Sequence, residues 1–530
     1  MSRVRDAAFD VFRRRGLTTL FCNPGSTEVP FLVGLPDDIR FVLALHEGSV
    51  VGLATGWAIG RREPALVVLH TLAGLGNAVG ALATARLNRA PLVVVVGQQD
   101  RRHLAFEPFT SGRLAGLAAD YPVWIAEPAR PQDVPGAVSR AYHEAETGRG
   151  PALVIVPMDD WHAPAGDEVE AAPARVVRAA AAGPDAVAQL AELLAGAERP
   201  ALVAGALADD AATRQALVAL AERLVAPVYQ ESFGARAGFP QDHPLFAGHL
   251  PADRTRLRAT LEPYDVVLVV GGPAFRQYPY ADGPPAPEGV RVAVVTDDPA
   301  EAHRSTAELA VLAPPAVVCV ELARTMAPRA GVRAPAPGPP APEPPAPGEP
   351  LRPGHVLAAL AERLPEDAIV VEETPSSRPE LHARVPARAP LGFVSAAMGG
   401  LGFALPAAAG LKMALPERPV VAVVGDGSAL YSIQSLWSAV RYGAGVVYVI
   451  LVNGAYTVMD LLAQQAGGTA PWPPFPEIDV AAVAAGLGCS AQRISAHDEL
   501  LDALDAALSG TPEGPVVLAV AVAPDEVFAP

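Results

Sequence analysis

An α/β fold of three doubly wound domains with mainly parallel sheets is predicted by three observations. Short β-branched runs alternate with longer Ala/Leu-rich stretches of helical spacing, the pattern of parallel strands covered by helices on both faces. That pattern occurs three times. The chain has 530 residues, too many for one core, and a Pro/Ala-rich stretch at 328–350, "PRAGVRAPAPGPPAPEPPAPGEP", separates the second occurrence from the third.

The elements follow in order. "MSRVRDAAFDVFRRRG" spaces its apolar residues as a helix does, with charges between them, and lacks the apolar core of a signal peptide. Strands are predicted at "LTTLFCNPG", "RFVLALHE", "PALVVLHT" and "APLVVVVGQQ", and the block closes near "GPALVIVPMDD". Each ends in small or polar residues, so a site is expected at the carboxyl edge of this first domain, 1–180. The second domain, 181–327, has strands at "RPALVAGALA", "YDVVLVVGGPAF", "VRVAVVTDD" and "AELAVLAPP", with fewer polar strand ends. The stretch 328–350 predicts an extended, semi-rigid linker. The third domain, 351–530, opens on "LRPGHVLAALAERL" and has strands at "DAIVVEE", "RPVVAVVGDG", "GVVYVILVNG" and "GPVVLAVAV". The outer thirds share a layout.

Composition narrows the function. A formal net charge of -17 argues against a general affinity for nucleic acid or an anionic membrane, leaving a small-molecule substrate as the expectation. Cys22, Cys319 and Cys489 stand far apart with no C-x-x-C pair, so neither a zinc site nor a disulfide framework is indicated, as suits a reducing cytoplasm. No apolar run reaches the length of about 18 residues that a membrane span needs.

The segment "GDGSALYSIQSLWSAVRYGAGVVYVILVNGAYTV" (425–458) carries the chemistry. Gly425, Asp426, Gly427 and Ser428 follow one strand, with a helix expected from about "LYSIQSLWSAV"; Asn453 follows the next strand, 27 positions after Asp426. Glycines admit a ligand close to the backbone, and a helix N-terminus offers free N–H groups to a phosphate. Parallel strands joined by one helix bring their carboxyl ends together, so both side-chain oxygens could meet one divalent cation of the Mg²⁺ type. Taken singly, either residue is an ordinary turn residue.

The segment resembles the thiamine diphosphate signature of the superfamily of 2-oxo acid decarboxylases and acetohydroxyacid synthases, G-D-G followed by N or N-N, with Val452 in place of the first Asn. The resemblance implies Mg²⁺ held by Asp426, Asn453 and the backbone carbonyl of Ala455, and a diphosphate held by Ser428 and the main chain of Gly427. A thiamine enzyme also needs a carboxylic group against the aminopyrimidine. "FVLALHEGSVVGLATGWA" offers Glu47, which taken alone is more simply a helix N-terminal charge. Its surroundings, "FCNPGSTEVPF" (21–31), "LHTLAGLGNAVGAL" (69–82) and "SAAMGGLGFALPAAAGLKMALPERPVVAVVGDGSALYSIQSLW" (395–437), resemble benzoylformate decarboxylases in order and spacing. The match covers most of both outer domains.

That resemblance implies a pyrimidine-binding first domain, a central domain and a diphosphate-binding third domain. It makes Glu47 the activator of the cofactor, Ser26 the partner of the substrate carboxylate, and His70 an acid/base near the carbonyl carbon. Leu401 would bend the cofactor into its reactive shape, the Gly399 carbonyl would accept from the aminopyrimidine, and Ser376 would add a phosphate contact. Glu47 and the diphosphate site would come from different subunits of a homodimer or homotetramer.

One position departs from the pattern. These decarboxylases carry a second histidine after a G-x-P-x-F-R stretch, and "GGPAFRQYPYADG" (271–283) puts Tyr278 there. A phenol with a pKa of about 10 is a poor proton shuttle at neutral pH. The expected reaction is non-oxidative decarboxylation of an aromatic or branched 2-oxo acid to an aldehyde and CO2, with carboligation to an acyloin as the alternative that Tyr278 favours. Beyond Ala455, Trp472 and Phe475 could line an acyl pocket or pin a loop. "GLGNAVG" could instead be a dinucleotide loop, although it is one residue too long and only Asp100 could be its acid. A catalytically silent homologue is disfavoured by Glu47, Asp426 and Asn453.

Overall fold

The computed structural model describes residues 2–166, 180–331, 339–346, 348–510 and 512–524. Part of the predicted linker, 332–338 and 347, therefore lies outside the described residues.

Three six-stranded sheets form the frame. The first holds β1 (Thr19–Cys22), β2 (Arg40–Leu43), β3 (Ala65–Leu69), β4 (Leu92–Gln98), β5 (Trp124–Ala126) and β6 (Pro151–Pro157) in the order β2-β1-β3-β4-β6-β5. The second holds β7 (Pro200–Ala204), β8 (Val228–Gln230), β9 (Phe246–His249), β10 (Val266–Val270), β11 (Arg291–Thr296) and β12 (Leu309–Leu312), ordered β12-β11-β10-β7-β8-β9. The third holds β13 (Ile369–Glu373), β14 (Phe393–Ser395), β15 (Val420–Gly425), β16 (Val447–Val452), β17 (Ser490–Ile494) and β18 (Val516–Ala521), ordered β14-β13-β15-β16-β18-β17. The neighbouring strands all run parallel. The first and third sheets thus have one topology and the second another, as the shared layout of the outer thirds predicts.

Central strands such as β3 and β4 are buried along their whole length, which is why they are continuous Val/Leu runs. The outer domains are joined by a common core that runs from Leu53 and Val94 to Leu405 and Tyr448. At its centre the helix Glu47–Arg61 lies directly on the helix Ala404–Ala414. A methyl group on Gly56 would stand 2.0 Å from the Ala407 carbonyl oxygen, and one on Gly410 2.0 Å from that of Leu53. Only glycine permits this backbone-to-backbone approach.

Two local expectations are corrected. "GLGNAVG" is not a strand-to-helix loop but lies inside the helix Thr71–Leu87, so it cannot cradle a dinucleotide phosphate. The helix expected near Leu430 already begins at Asp426, closes one turn at Ala429, and a second helix runs Ser435–Arg441. Among the described residues no helix is long and apolar enough to cross a membrane.

Candidate active site

The first half-site lies at the carboxyl edge of the first sheet. Glu47 is the first residue of its helix, is 8 % exposed, and is fixed by two carboxamides. Asn23 Nδ2 donates to Oε1 at 3.0 Å and Asn77 Nδ2 to Oε2 at 3.0 Å. Both amides were missed in the sequence, although Asn23 stands in the N-P-G-S turn and Asn77 in "GLGNAVG". One on each oxygen, they turn an ordinary helix-end glutamate into an oriented one.

His70 follows β3 and faces the same turn. Its Nδ1 lies 3.0 Å from Thr27 Oγ1 and 3.0 Å from Glu28 Oε2, and Glu28 also accepts the Gly25 N–H at 2.8 Å. The hydrogen bond to buried Glu28 raises the His70 pKa above its ordinary value, against the opposing effect of burial. This geometry sets the Nδ1 proton against Glu28 and turns Nε2 away from the pair. The turn is pressed onto the ring, because a methyl on Gly25 would lie 2.3 Å from the imidazole. Ser26, the next residue, is exposed at the rim. Glu28 is the partner of His70 that sequence reasoning overlooked, and its signal was a lone acid inside "NPGSTE".

The second half-site lies at the corresponding edge of the third sheet. Asp426 Oδ1 accepts the Gly427 N–H at 2.8 Å, while Oδ2 accepts those of Asn453 at 3.1 Å and Gly454 at 2.7 Å. The two strand ends therefore meet. Burial raises the Asp426 pKa and these N–H bonds oppose that rise. Asn453 Oδ1 accepts from the Ala455 N–H at 3.1 Å and its Nδ2 donates to Thr457 Oγ1 at 3.0 Å. Ser428 is buried, and a methyl on Gly427 would meet the Tyr456 ring at 2.7 Å. Ser376 sits in the turn after β13.

A cleft of about 1040 Å³ opens between the second and third domains, and Tyr278, Gly399 and Leu401 line it with Val458, Met459 and Leu462. Leu401 is 38 % exposed and Tyr278 49 %, so both side chains are accessible. Trp472 and Phe475 do not line it. Trp472 Nε1 donates to Asp460 Oδ1 at 2.9 Å and the Phe475 ring packs edge-on at 5.1 Å from Tyr456, so both pin the loop beyond Ala455. Ser26, Glu47 and His70 do not line this cleft either. The single chain gathers its predicted site residues into three groups: Ser26, Glu47 and His70 at the first sheet, Asp426, Gly427, Ser428, Asn453 and Ala455 at the third, and Tyr278, Gly399 and Leu401 in the cleft.

The family described as "Thiamine pyrophosphate enzyme, N-terminal TPP binding domain" matches residues 2–115, the central domain of the same family 187–322, and the C-terminal TPP binding domain 379–520. The chain belongs to the thiamine diphosphate-dependent enzymes and is a benzoylformate decarboxylase-like carbon–carbon lyase. Among curated relatives, a benzoylformate decarboxylase of Pseudomonas aeruginosa is 40% identical over 524 residues, which cover 98% of this chain and 99% of the relative. Among solved structures, a thiamine diphosphate-dependent 4-hydroxybenzoylformate decarboxylase of Rhodococcus jostii RHA1 superposes with a TM-score of 0.93 at 38% identity, over 99% of this chain and 100% of that one. A benzoylformate decarboxylase of Polynucleobacter necessarius gives a TM-score of 0.93 at 35% identity, over 99% of each chain.

Proposed function

We propose that the protein decarboxylates an aromatic or branched 2-oxo acid to an aldehyde and CO2, using thiamine diphosphate and Mg²⁺, in a site made by two copies of the chain. The observation that carries this reading is the pair of half-sites. An oriented Glu47 stands at one sheet edge and a buried Asp426, joined to the Asn453 turn, stands at the matching edge of the topologically identical sheet. The donor set of the second half-site suits a hard cation: Asp426 carboxylate, Asn453 carboxamide and Ala455 carbonyl. Diphosphate oxygens of the cofactor would complete the shell. Gly427 and Ser428 would hold that diphosphate.

Thiamine diphosphate, when bound, supplies the electron sink that lets the carboxylate leave as CO2. The chain's residues do the rest. Glu47, steered by Asn23 and Asn77, would exchange a proton with the aminopyrimidine, and Ser26 would receive the substrate carboxylate. His70, whose pKa is raised by its hydrogen bond to Glu28, would act as an acid/base near the carbonyl carbon. Exposed apolar groups occur in both outer domains: Leu72, Phe106 and Phe109 in the first, with Phe109 92 % exposed, and Met398, Leu401 and Met459 at the cleft. Closing one copy on another would cover both patches and dry the site.

Tyr278 favours the second reading, carboligation, since a phenol at the cleft wall can donate a hydrogen bond but protonates a carbanion poorly at neutral pH. Incubation with phenylglyoxylate, branched 2-oxo acids and pyruvate, with and without thiamine diphosphate and Mg²⁺, tests both readings. Mass spectrometry should find CO2 and aldehyde from an aromatic or branched acid only when both additions are present. Consumption of none of these acids would overturn the assignment.

A further inference from the structure

Beneath the cleft, three consecutive backbone N–H groups converge on one carboxylate. Glu373, the last residue of β13, is 4 % exposed, and its Oε1 accepts from Gly402 at 2.7 Å. Its Oε2 accepts from Phe403 at 2.8 Å and Ala404 at 2.7 Å. These donors belong to the end of the loop Met398–Gly402 and the start of the helix Ala404–Ala414. The loop is conformationally demanding, with φ of +66° at Met398, +75° at Gly399 and +87° at Gly402. Such a run holds one shape only if the surroundings determine it. The neighbouring Glu372 is occupied elsewhere, with the Thr374 N–H at 2.6 Å and Arg378 Nη2 at 2.7 Å, so it cannot substitute. From the opposite side Arg276 Nη1 reaches Met398 Sδ at 3.3 Å.

We infer that Glu373 is a positioning residue: its carboxylate, through the Gly402, Phe403 and Ala404 amides, sets the loop that presents Leu401 and the Gly399 carbonyl to the cleft. The inference rests on the roles given above to Leu401 and Gly399. A buried carboxylate is costly, and burial pushes Glu373 up to about 7 even with three N–H bonds drawing it down. A structural cap alone would be met by an exposed Ser, Thr or Asp at the helix start. Here the cap comes from a neighbouring strand at the wall of the cleft, and it ties loop, helix and sheet edge to a single group.

Glu373→Gln, nearly isosteric, presents an NH2 group where one acceptor stood. Hydrogen exchange of the apo protein over 396–405 should accelerate in this variant while the β15 and β16 segments exchange as in the wild type. kcat should fall on the order of tenfold to a hundredfold, the scale of a small misplacement in a site. Because Glu373 acts through the loop that carries Leu401 and Gly399, adding Glu373→Gln to Leu401→Ala should cost clearly less than the product of the two single losses, the remainder being the share carried by the Gly399 carbonyl, a non-additive cycle. Wild-type exchange in 396–405, or independent multiplication of the two losses, would overturn the inference. If the Gln variant does not fold, Glu373→Asp, which keeps the charge but falls one methylene short, should show the same local acceleration, and its absence counts equally against the clamp. If the wild type consumes none of the 2-oxo acids, the proposed function fails while the exchange result still decides whether Glu373 holds the loop.

Discussion

At the scale of single residues, the site depends on pairs in which one member orients the other. His70 gains a raised pKa chiefly from its hydrogen bond to Glu28. A histidine whose folded pKa lies above its unfolded value of about 6.5 stabilises the fold below that pH, and the contribution is lost as pH rises through the raised value. Glu28→Gln should therefore lower thermal stability more at pH 6 than at pH 9. It should also shift the His70-dependent limb of the pH–rate profile to lower pH; an unshifted limb would mean that another group titrates there. Glu47→Gln keeps a side chain for Asn23 and Asn77 to hold but cannot exchange a proton. It should bind thiamine diphosphate nearly as the wild type in a calorimetric titration, with turnover lower by about 10² to 10⁴. Tyr278→His should raise the ratio of aldehyde to acyloin, measured on one substrate by mass spectrometry. An unchanged ratio would show that Tyr278 does not control the partition.

At the scale of elements, the helix pair Glu47–Arg61 and Ala404–Ala414 couples the two outer domains. Gly410→Ala places a methyl 2.0 Å from the Leu53 carbonyl oxygen, so the helices must separate despite the better helix propensity of alanine. The expected cost is about 1–3 kcal/mol, seen as a lower Tm by calorimetry. Elements also show what a sequence can display. Long buried strands such as β3, β4, β15 and β16 were legible because burial on both faces demands continuous apolar runs. The strands β5, β8, β9, β14 and β17 were not, being short, or polar and exposed as in β17, "SAQRI". Of the candidate site, the meeting of Asp426 with the Asn453 turn was legible from glycine-flanked strand ends. Asn23, Asn77, Glu28 and Glu373 were not, since each acts by a contact between segments that sequence spacing does not specify.

At the scale of the whole molecule, two sheets of one topology carry the two proposed half-sites, Glu47 with the first and Asp426 with the third. The account requires Glu47 of one copy to serve the Asp426 site of another. Subunit complementation tests this requirement directly. Glu47→Gln and Asp426→Ala subunits, each inactive alone, are mixed under conditions that exchange subunits, and decarboxylation is followed with thiamine diphosphate and Mg²⁺. Each mixed dimer then contains one site with both defects and one intact site, so random exchange of equal amounts should restore about a quarter of wild-type activity. Full exchange with no recovered activity would place both residues of a working site on one chain and contradict the account.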